Sequence, residues 1–286
     1  MTGSKIHSLV KDIYNLFEDG NKKIPNQRDI KEFTDNISES VITALSENRQ
    51  GSRGLRMSSL GKPSRQLWYD LYKPELREHM QSHVKIKFLY GHILEALLLL
   101  LAKTSGHTVT DSQKSLELDG VKGHQDAIID DWVIDVKSAS SFGFNKFKKN
   151  DLTKETDAFG YLAQIAAYGE ANKNSKLAFL AIDKTSGALA LCVPDKKDLP
   201  NARQRIKELQ NDLKNKDVPP QRCYEDEPDG ASGNRKLAIG CSYCSYKIDC
   251  WSDSNKGGGL RKFIYSRGPR WLTQVVNEPN VHEDLP

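Results

Sequence analysis

The sequence contains no apolar run long enough to cross a bilayer. The longest, Ile93 to Ala102, is interrupted by Glu95 and falls short of the roughly 20 residues that a membrane helix needs. Met1 to Gly20 lacks an apolar core followed by a small-residue cleavage site, so no secretory signal is expected and a reducing cytoplasm is the expected setting. Charge of one sign is not in excess either: 42 basic residues against 38 acidic ones leave +4, a balance that by itself announces no polyanionic partner. No G-x-x-x-x-G-K-[ST] loop occurs, which excludes a P-loop helicase motor within the chain. Internal repeats and low-complexity tracts are absent, and no cysteine precedes Cys192.

What is present suits a soluble globular protein. Hydrophobic residues make up 37% and charged residues 28% of the chain, enough apolar material for a core. Ile6, Leu9, Val10, Ile13, Leu16 and Phe17 recur at helical spacing, as do Ile30, Phe33, Ile37, Val41 and Leu45. Gly51 to Ser59 reads as a basic linker, followed by a short helix through Gln66-Leu-Trp-Tyr69 and a longer one from about Glu78 to Lys103.

From His107 to Ala139 the pattern shifts to short β-prone runs around the turn dipeptides Asp119-Gly120 and Asp130-Asp131, which predicts three strands. Helix returns over Asp157 to Asn172, and Leu177–Asp183 with Ala188–Val193 predict a hairpin around Ser186-Gly187. A polar helix over Ala202 to Lys216 precedes Pro219-Pro220, and a terminal hairpin is expected over Phe263 to Val276. The expected organisation is an N-terminal helical region and basic linker over 1–77, an α/β core over 78–200, and a polar helix with a cysteine-cluster tail over 201–286.

The chemically informative string is Gly123-His-Gln-Asp-Ala-Ile-Ile-Asp-Asp-Trp-Val-Ile-Asp-Val-Lys-Ser138. Asp135 and Lys137 stand two apart, which on a strand directs both side chains to one face and Ile134 and Val136 to the other. A tight turn at Asp130-Asp131 brings Asp126 alongside them. Two converging carboxylates repel unless they share a hard cation, and oxygen ligands are what Mg²⁺ or Mn²⁺ selects. Lys137 supplies positive charge for the nucleophile or for charge growing on a phosphate. Glu95, alone in an apolar helical run, adds a third carboxylate that is expensive to bury without a cation nearby. An isolated Asp-x-Lys is more often an exposed strand face; the combination with Asp126, Glu95 and the element order carries the functional reading.

Glu95, Asp126 and Asp135-Val-Lys137 together resemble the PD-(D/E)XK nuclease superfamily in its RecB-like exonuclease branch, over about Leu89 to Val193. The resemblance implies a restriction-endonuclease-like core with the order helix, three strands, helix, two strands. It implies Glu95, Asp126, Asp135 and Val136 as the metal-binding positions and Lys137 as a catalytic residue. Gln125 stands where the signature has Pro. Gln164-Ile-Ala-Ala-Tyr168 resembles the Gln-x-x-x-Tyr motif of that branch, which implies both as catalytic-site residues, Gln164 bonding a nucleotide or an active-site water and Tyr168 leaning on the DNA backbone, and the spacing puts them on one helix face. His124 and His92 lie near the proposed metal residues in sequence; each is either a polar contact of the site or a structural hydrogen-bonding group.

Cys223, Cys241, Cys244 and Cys250 follow the core with 17, 2 and 5 residues between them. In a reducing compartment such a set more often binds metal than forms disulfides, and either zinc or an iron–sulfur cluster accepts four cysteines. C-x2-C-x5-C after such a core is similar to the tail of CRISPR-associated and helicase-linked nucleases with a [4Fe-4S] cluster, which implies that cofactor here, with Zn²⁺ the alternative. In those relatives the fourth cysteine lies upstream in a Ser-x-x-x-Cys-x-Arg segment. Ser58 to Tyr69 resembles that segment without its cysteine, and Cys223 is the substitute. Arg53, Arg56, Lys62 and Arg65 form one basic cluster, either a solvated surface or a guide for a DNA end, and Lys236, Tyr243, Tyr246, Lys247, Trp251, Arg261 and Lys262 form a second, expected either to contact phosphates and stack bases or to cover the metal module.

The expected function is a Mg²⁺- or Mn²⁺-dependent deoxyribonuclease, an exonuclease acting on linear ends or single strands of DNA in recombination, repair or phage DNA processing, in the host cytoplasm if phage-encoded. A separate helicase or recombination protein is the expected partner, and a membrane is not. An endonuclease of the same fold and a non-catalytic DNA-binding scaffold are the rival readings.

Overall fold

The computed structural model describes residues 5–21, 23–46 and 54–284. Gly51 to Arg53 of the expected basic linker lie outside them. In chain order the helices and strands are α1 (Leu9–Asn15), α2 (Gln27–Leu45), α3 (Ser64–Tyr72), α4 (Ser82–Ser105), β1 (Val109–Thr110), β2 (Ser115–Leu118), β3 (Val121–His124), β4 (Ala127–Ile129) and β5 (Trp132–Ala139). There follow α5 (Ser141–Lys148), α6 (Tyr161–Asn172), β6 (Leu177–Asp183), β7 (Leu189–Cys192) and α7 (Ala202–Asp212). The tail adds β8 (Glu227–Pro228), β9 (Arg235–Lys236), β10 (Arg261–Tyr265), β11 (Gly268–Gln274) and β12 (Glu283–Asp284). No helix of the described residues is long and apolar enough to span a membrane.

The chain divides into two units, Met1–Gly61 with Met80–Glu208, and Lys62–His79 with Leu209–Pro286. Residues 62–77, expected with the N-terminal region, therefore group with the tail.

The first unit is an α/β fold on a mixed sheet ordered β1-β4-β5-β6-β7, with β5 and β6 parallel and the other neighbours antiparallel. Parallel neighbours need a crossover connection, and α5 and α6 provide it. Between His107 and Ala139 there are five strands where three are expected, because β2 and β3 leave the sheet and pair as a separate hairpin. With β1, β4 and β5 as the three strands, the order runs helix, three strands, two helices, two strands, and α5 is a helix that the sequence pattern does not predict.

Local sequence explains the turns. Asp130 and Asp131 both adopt positive φ, 45° and 67°, in a two-residue connection that pairs Ile129 with Trp132. Such hairpins need positive φ at both central positions, which Asp tolerates better than most residues. Gly106, at φ 102°, closes α4 in the left-handed conformation usual at a helix end.

The core of this unit sits between α1, α4 and one face of the sheet. Leu94, Leu98, Leu99 and Ala102 of α4 pack with Ile134, Val136, Ala178, Leu180 and Ile182, and Leu9 and Ile13 of α1 join them. Each large aliphatic side chain so buried contributes roughly 1.5–3 kcal/mol. Every residue of β6 is buried, as a central strand covered on both faces must be. The second unit carries a sheet ordered β12-β10-β11-β9-β8 and a small core of Leu237, Cys241, Trp251 and Leu260. The hairpin β10–β11 occupies the place read from the sequence.

Candidate active site

Alternation along β5 separates two chemistries. Ile134 and Val136 enter the α4 core, while Lys137 on the opposite face meets α6. Asp135 is fully buried, and its Oδ2 lies 2.6 Å from Lys137 Nζ. Neither Asp135 carboxylate oxygen makes a hydrogen bond, so Oδ1 has no partner and Oδ2 has only the ammonium. Asp126 is expected on a strand; it stands in the connection just before β4. There its Oδ2 accepts a 2.6 Å hydrogen bond from the backbone N–H of Val136, which ties the two strands together at the site.

Glu95 comes from α4. Gly91, one turn earlier, lets the helix approach β5, since an added Cβ there would stand 3.3 Å from Ser138 Oγ. The Glu95 carboxylate accepts a hydrogen bond from the Gln113 side chain. His92 Nδ1 lies 4.0 Å from Glu95 Oε2.

On α6 the Gln164 and Tyr168 side chains share a face and form a relay. Lys137 Nζ donates to Gln164 Oε1 at 3.1 Å, and Gln164 Nε2 donates to Tyr168 Oη at 3.0 Å. Tyr161 completes the lysine's surroundings, its ring centroid 4.5 Å from Nζ. Asp157 sets the start of α6, accepting from the N–H groups of Tyr161 and Leu162 at 2.9 and 2.8 Å.

Burial dominates the electrostatics of the carboxyl groups. Burial and the Asp135 charge push Glu95 up to about 7, against the pull of Lys137 and Gln113. Asp126 is raised well above the usual carboxylate range by burial, Asp135 and Glu95. Burial raises Asp135 too, more than Lys137 lowers it. Burial works against the Lys137 charge, but Asp135 and Asp126 outweigh it and hold the ammonium above its ordinary value. Burial also raises the Tyr168 phenol, with Asp135 adding to the effect. The charged form is thus costly for all three carboxyl groups, and a single lysine does not offset the cost.

Sequence reasoning missed Gln113, Tyr161 and the pair Gln125–Asn172. Tyr161 is legible in retrospect, being three residues before Gln164 and so on the same helix face. Gln125 is completely buried, donating to Asp111 O at 3.1 Å and accepting from Asn172 Nδ2 at 2.6 Å. It braces α6 against the loop that carries Asp126. His124 lies on β3 with Nδ1 3.5 Å from Arg56 Nη2, a contact outside the carboxylate group.

The four tail cysteines all fall in the second unit, and each of the six pairs among them interacts electrostatically. Burial raises Cys223 and Cys244 and pushes Cys241 up to about 11. Cys192 is apart from them, buried on β7 and pushed up to about 11 by burial. Among the described residues no three His, Cys, Asp or Glu side chains stand close enough to hold one ion as they are.

Three of the four basic residues named around the cysteines are engaged within their own unit. Lys247 pairs with Glu78, Arg261 with Glu278 and Glu283, and Lys262 with Asp284 at 2.5 Å. Tyr246 Oη donates to Asp70 at 2.8 Å, and Trp251 is buried. Arg65, read as a member of a surface cluster, instead reaches Cys250 Sγ and Pro220 O at 3.1 and 2.6 Å.

No family model matches the sequence, and neither does any curated protein. Among solved structures the chain is similar to one described as SSO0001, with 18% identity, a TM-score of 0.41 and coverage of 77% of this chain and 96% of that one. It is also similar to an alkaline exonuclease from Laribacter hongkongensis, with 11% identity, a TM-score of 0.38 and coverage of 62% and 92%. Likenesses of this extent do not establish a shared fold.

Proposed function

We propose that this protein is a metal-dependent deoxyribonuclease of the restriction-endonuclease-like kind, acting as an exonuclease on linear or single-stranded DNA in recombination, repair or phage DNA processing. The observation that carries the proposal is the buried Asp135, one oxygen unpartnered and the other on Lys137, beside two further carboxyl groups whose protons are held too tightly for a resting surface. The donor set suits Mg²⁺ or Mn²⁺, which prefer carboxylate oxygen. Glu95, Asp126 and Asp135 would hold the cation with the backbone of Val136, after Glu95 turns from Gln113. The cation would polarise the phosphodiester and lower the pKa of an attacking water towards neutrality.

The protein's own groups divide the remaining work. Lys137, oriented by Asp135, Gln164 and the Tyr161 ring, offsets charge growing on a phosphate oxygen; pre-oriented donors act most strongly in a site that excludes water. Glu95, pushed up to about 7 in the metal-free protein, would give up its proton as the cation binds. Gln164 and Tyr168 fix the lysine's direction.

A second metal site, a [4Fe-4S] cluster with Zn²⁺ as the alternative, is proposed on Cys223, Cys241, Cys244 and Cys250, because all four cysteines fall in one unit and either group accepts four thiolates.

The test is a time course on end-labelled linear DNA and on closed circular DNA with Mg²⁺ or Mn²⁺. Wild-type protein should degrade the linear substrate while Asp126→Ala and Lys137→Ala do not. Equal cutting of circles converts the reading to an endonuclease. A wild type inert on both single-stranded and duplex ends overturns it.

A further inference from the structure

An aromatic stack leads outward from the lysine of the candidate site. Lys137 Nζ lies 4.5 Å from the Tyr161 ring centroid. The Phe159 ring stacks on that same tyrosine ring, with centroids 5.5 Å apart and planes 29° from parallel, an offset arrangement that aromatic pairs favour. Tyr161 also meets Phe147 and Phe179, at 6.1 and 6.4 Å between centroids, and both of these are buried. The series therefore runs from the core through Tyr161 to Phe159, which is 72% exposed.

Phe159 contributes little to the fold, because a ring left in water forgoes the benefit of burial. Its backbone is nevertheless held. Lys146 Nζ of α5 donates to Thr156 O at 2.6 Å, and the Thr156 hydroxyl donates to Asp151 O at 2.7 Å while accepting from the Thr153 N–H at 2.9 Å. Asp157 fixes the other end of the loop to α6. A ring presented by an ordered segment loses little freedom when something stacks on it. The rest of the connection, 149–160, exposes only charged, amide and alanine side chains, so Phe159 stands as one ring in polar surroundings. A lone ring is far short of the apolar patch that a protein partner needs; it matches one flat, ring-sized surface.

We propose that Phe159 is a nucleobase platform of the candidate site, taking an unpaired base of a single-stranded DNA end while a phosphate of the same strand lies at Lys137. Stacking on an aromatic side chain tolerates any sequence, since every base has a π face. The steps from the ammonium to Tyr161 and from Tyr161 to Phe159 are short. A strand with a phosphate at Lys137 therefore reaches the outer ring with the base of that nucleotide or of its neighbour. Internal bases of a duplex are already stacked on both faces, which makes an unpaired strand the preferred occupant. The inference rests on the reading of the site as a deoxyribonuclease and names the form of DNA that the site takes.

The test compares full-length wild type with Phe159→Ala, Phe159→Leu and Phe159→Trp. Binding of a short end-labelled single strand is read by fluorescence anisotropy with a chelator present, and cleavage with Mn²⁺ gives kcat and KM. Phe159→Ala and Phe159→Leu should weaken binding and raise KM by about tenfold, within the range for loss of one stacked base, with kcat changing less. Phe159→Trp should bind at least as tightly as wild type. Abasic nucleotides placed at one end and then at the other should cost wild type the same factor in one of the two series, and cost Phe159→Ala no more. Binding of a blunt duplex should respond to Phe159→Ala much less.

Wild type that neither binds nor cuts either form of DNA defeats the reading on which the inference rests. Wild type that cuts single strands beside a Phe159→Ala protein of unchanged Kd and KM overturns the inference itself. So does a Phe159→Leu protein that binds as wild type does, since an apolar contact then suffices without stacking. A loss confined to kcat overturns it as well, because Phe159 would then act only by holding Tyr161. An equal loss on the blunt duplex overturns the single-strand assignment in favour of the terminal base pair. If Phe159→Ala does not fold by circular dichroism, the abasic series with wild type decides, and the absence of a penalty at either end overturns the proposal.

Discussion

Gly61 and Gly160 cross in contact: a Cβ built on Gly61 would lie 2.1 Å from the Gly160 Cα, and one built on Gly160 would lie 2.3 Å from the Gly61 Cα. The crossing pins the start of α6, and with it Tyr161, Gln164 and Tyr168, to the segment around Met57. Gly160 also takes φ 74° as the residue before the helix, a conformation that costs other residues energy.

Gly61→Ala should therefore destabilise the protein by about 2 kcal/mol or more, the cost of overpacking with backbone displacement. Gly54→Ala is the control, because a Cβ at Gly54 meets nothing within 4 Å. Urea unfolding of the two variants checks the difference, and equal midpoints would refute the argument.

The acid groups of the candidate site should make metal-free protein less stable as pH rises. Glu95 has its pKa raised from 4.5 to about 7, so its protonated form is favoured by folding. That stabilisation is fully present below the unfolded value and is lost as pH rises through about 7. The loss is on the order of 3 kcal/mol for a shift of this size. Glu95→Gln should flatten the slope between these limits, measured by chemical unfolding in the presence of a chelator. Mn²⁺ should stabilise wild type most at the upper end, where the carboxylates must be charged to bind it.

Tyr168→Phe removes the oxygen that accepts from Gln164 while keeping the ring. Losing one hydrogen bond at about 1.4 kcal/mol corresponds to roughly tenfold. The expected result is a kcat lower by about that factor with KM little changed, whereas Lys137→Ala should cost about 10²–10³-fold, as loss of a charge-stabilising donor does. A Tyr168→Phe enzyme with unaltered kcat would show that the relay does not position the lysine.

A different ionic cluster should govern acid sensitivity. His107 bridges Asp130, 2.5 Å from Nδ1, and Asp12, 3.2 Å from Nε2. Burial opposes the Asp130 charge, but bonds from His107 and the Thr108 N–H outweigh it and hold this carboxyl below the usual range. A lowered carboxyl contributes stability above its unfolded pKa and loses it as pH falls through the folded value. Asp130→Asn should cost about 1.5–3 kcal/mol at neutral pH, the range for hydrogen bonds to charged groups. The gap should close as pH falls below the usual carboxylate range. Thermal unfolding across pH provides the check.

Much of the candidate site was legible because its signals are local. Period-two alternation puts Asp135 and Lys137 on one face of β5, and a spacing of four aligns Gln164 with Tyr168 on α6. The Asp130-Asp131 turn is written in residue types that tolerate positive φ. Partners that come from other segments were not legible: Gln113 on Glu95, Asn172 on Gln125 and the Val136 N–H on Asp126 follow from no spacing. The five strands between His107 and Ala139 were read as three because two-to-four-residue strands leave little periodic signal, and which of them leave the sheet depends on pairing.

By itself, then, the sequence determined the longer helices and strands of the α/β unit and which residue types are available to a site, because side-chain period and charge are properties of a segment. Tertiary structure alone decided that Asp135 is buried with an unpartnered oxygen, that Gly61 meets Gly160, and that Arg65 turns to Cys250. Burial and long-range hydrogen bonds are properties of pairs of segments, and the energy of a charge depends on what surrounds it.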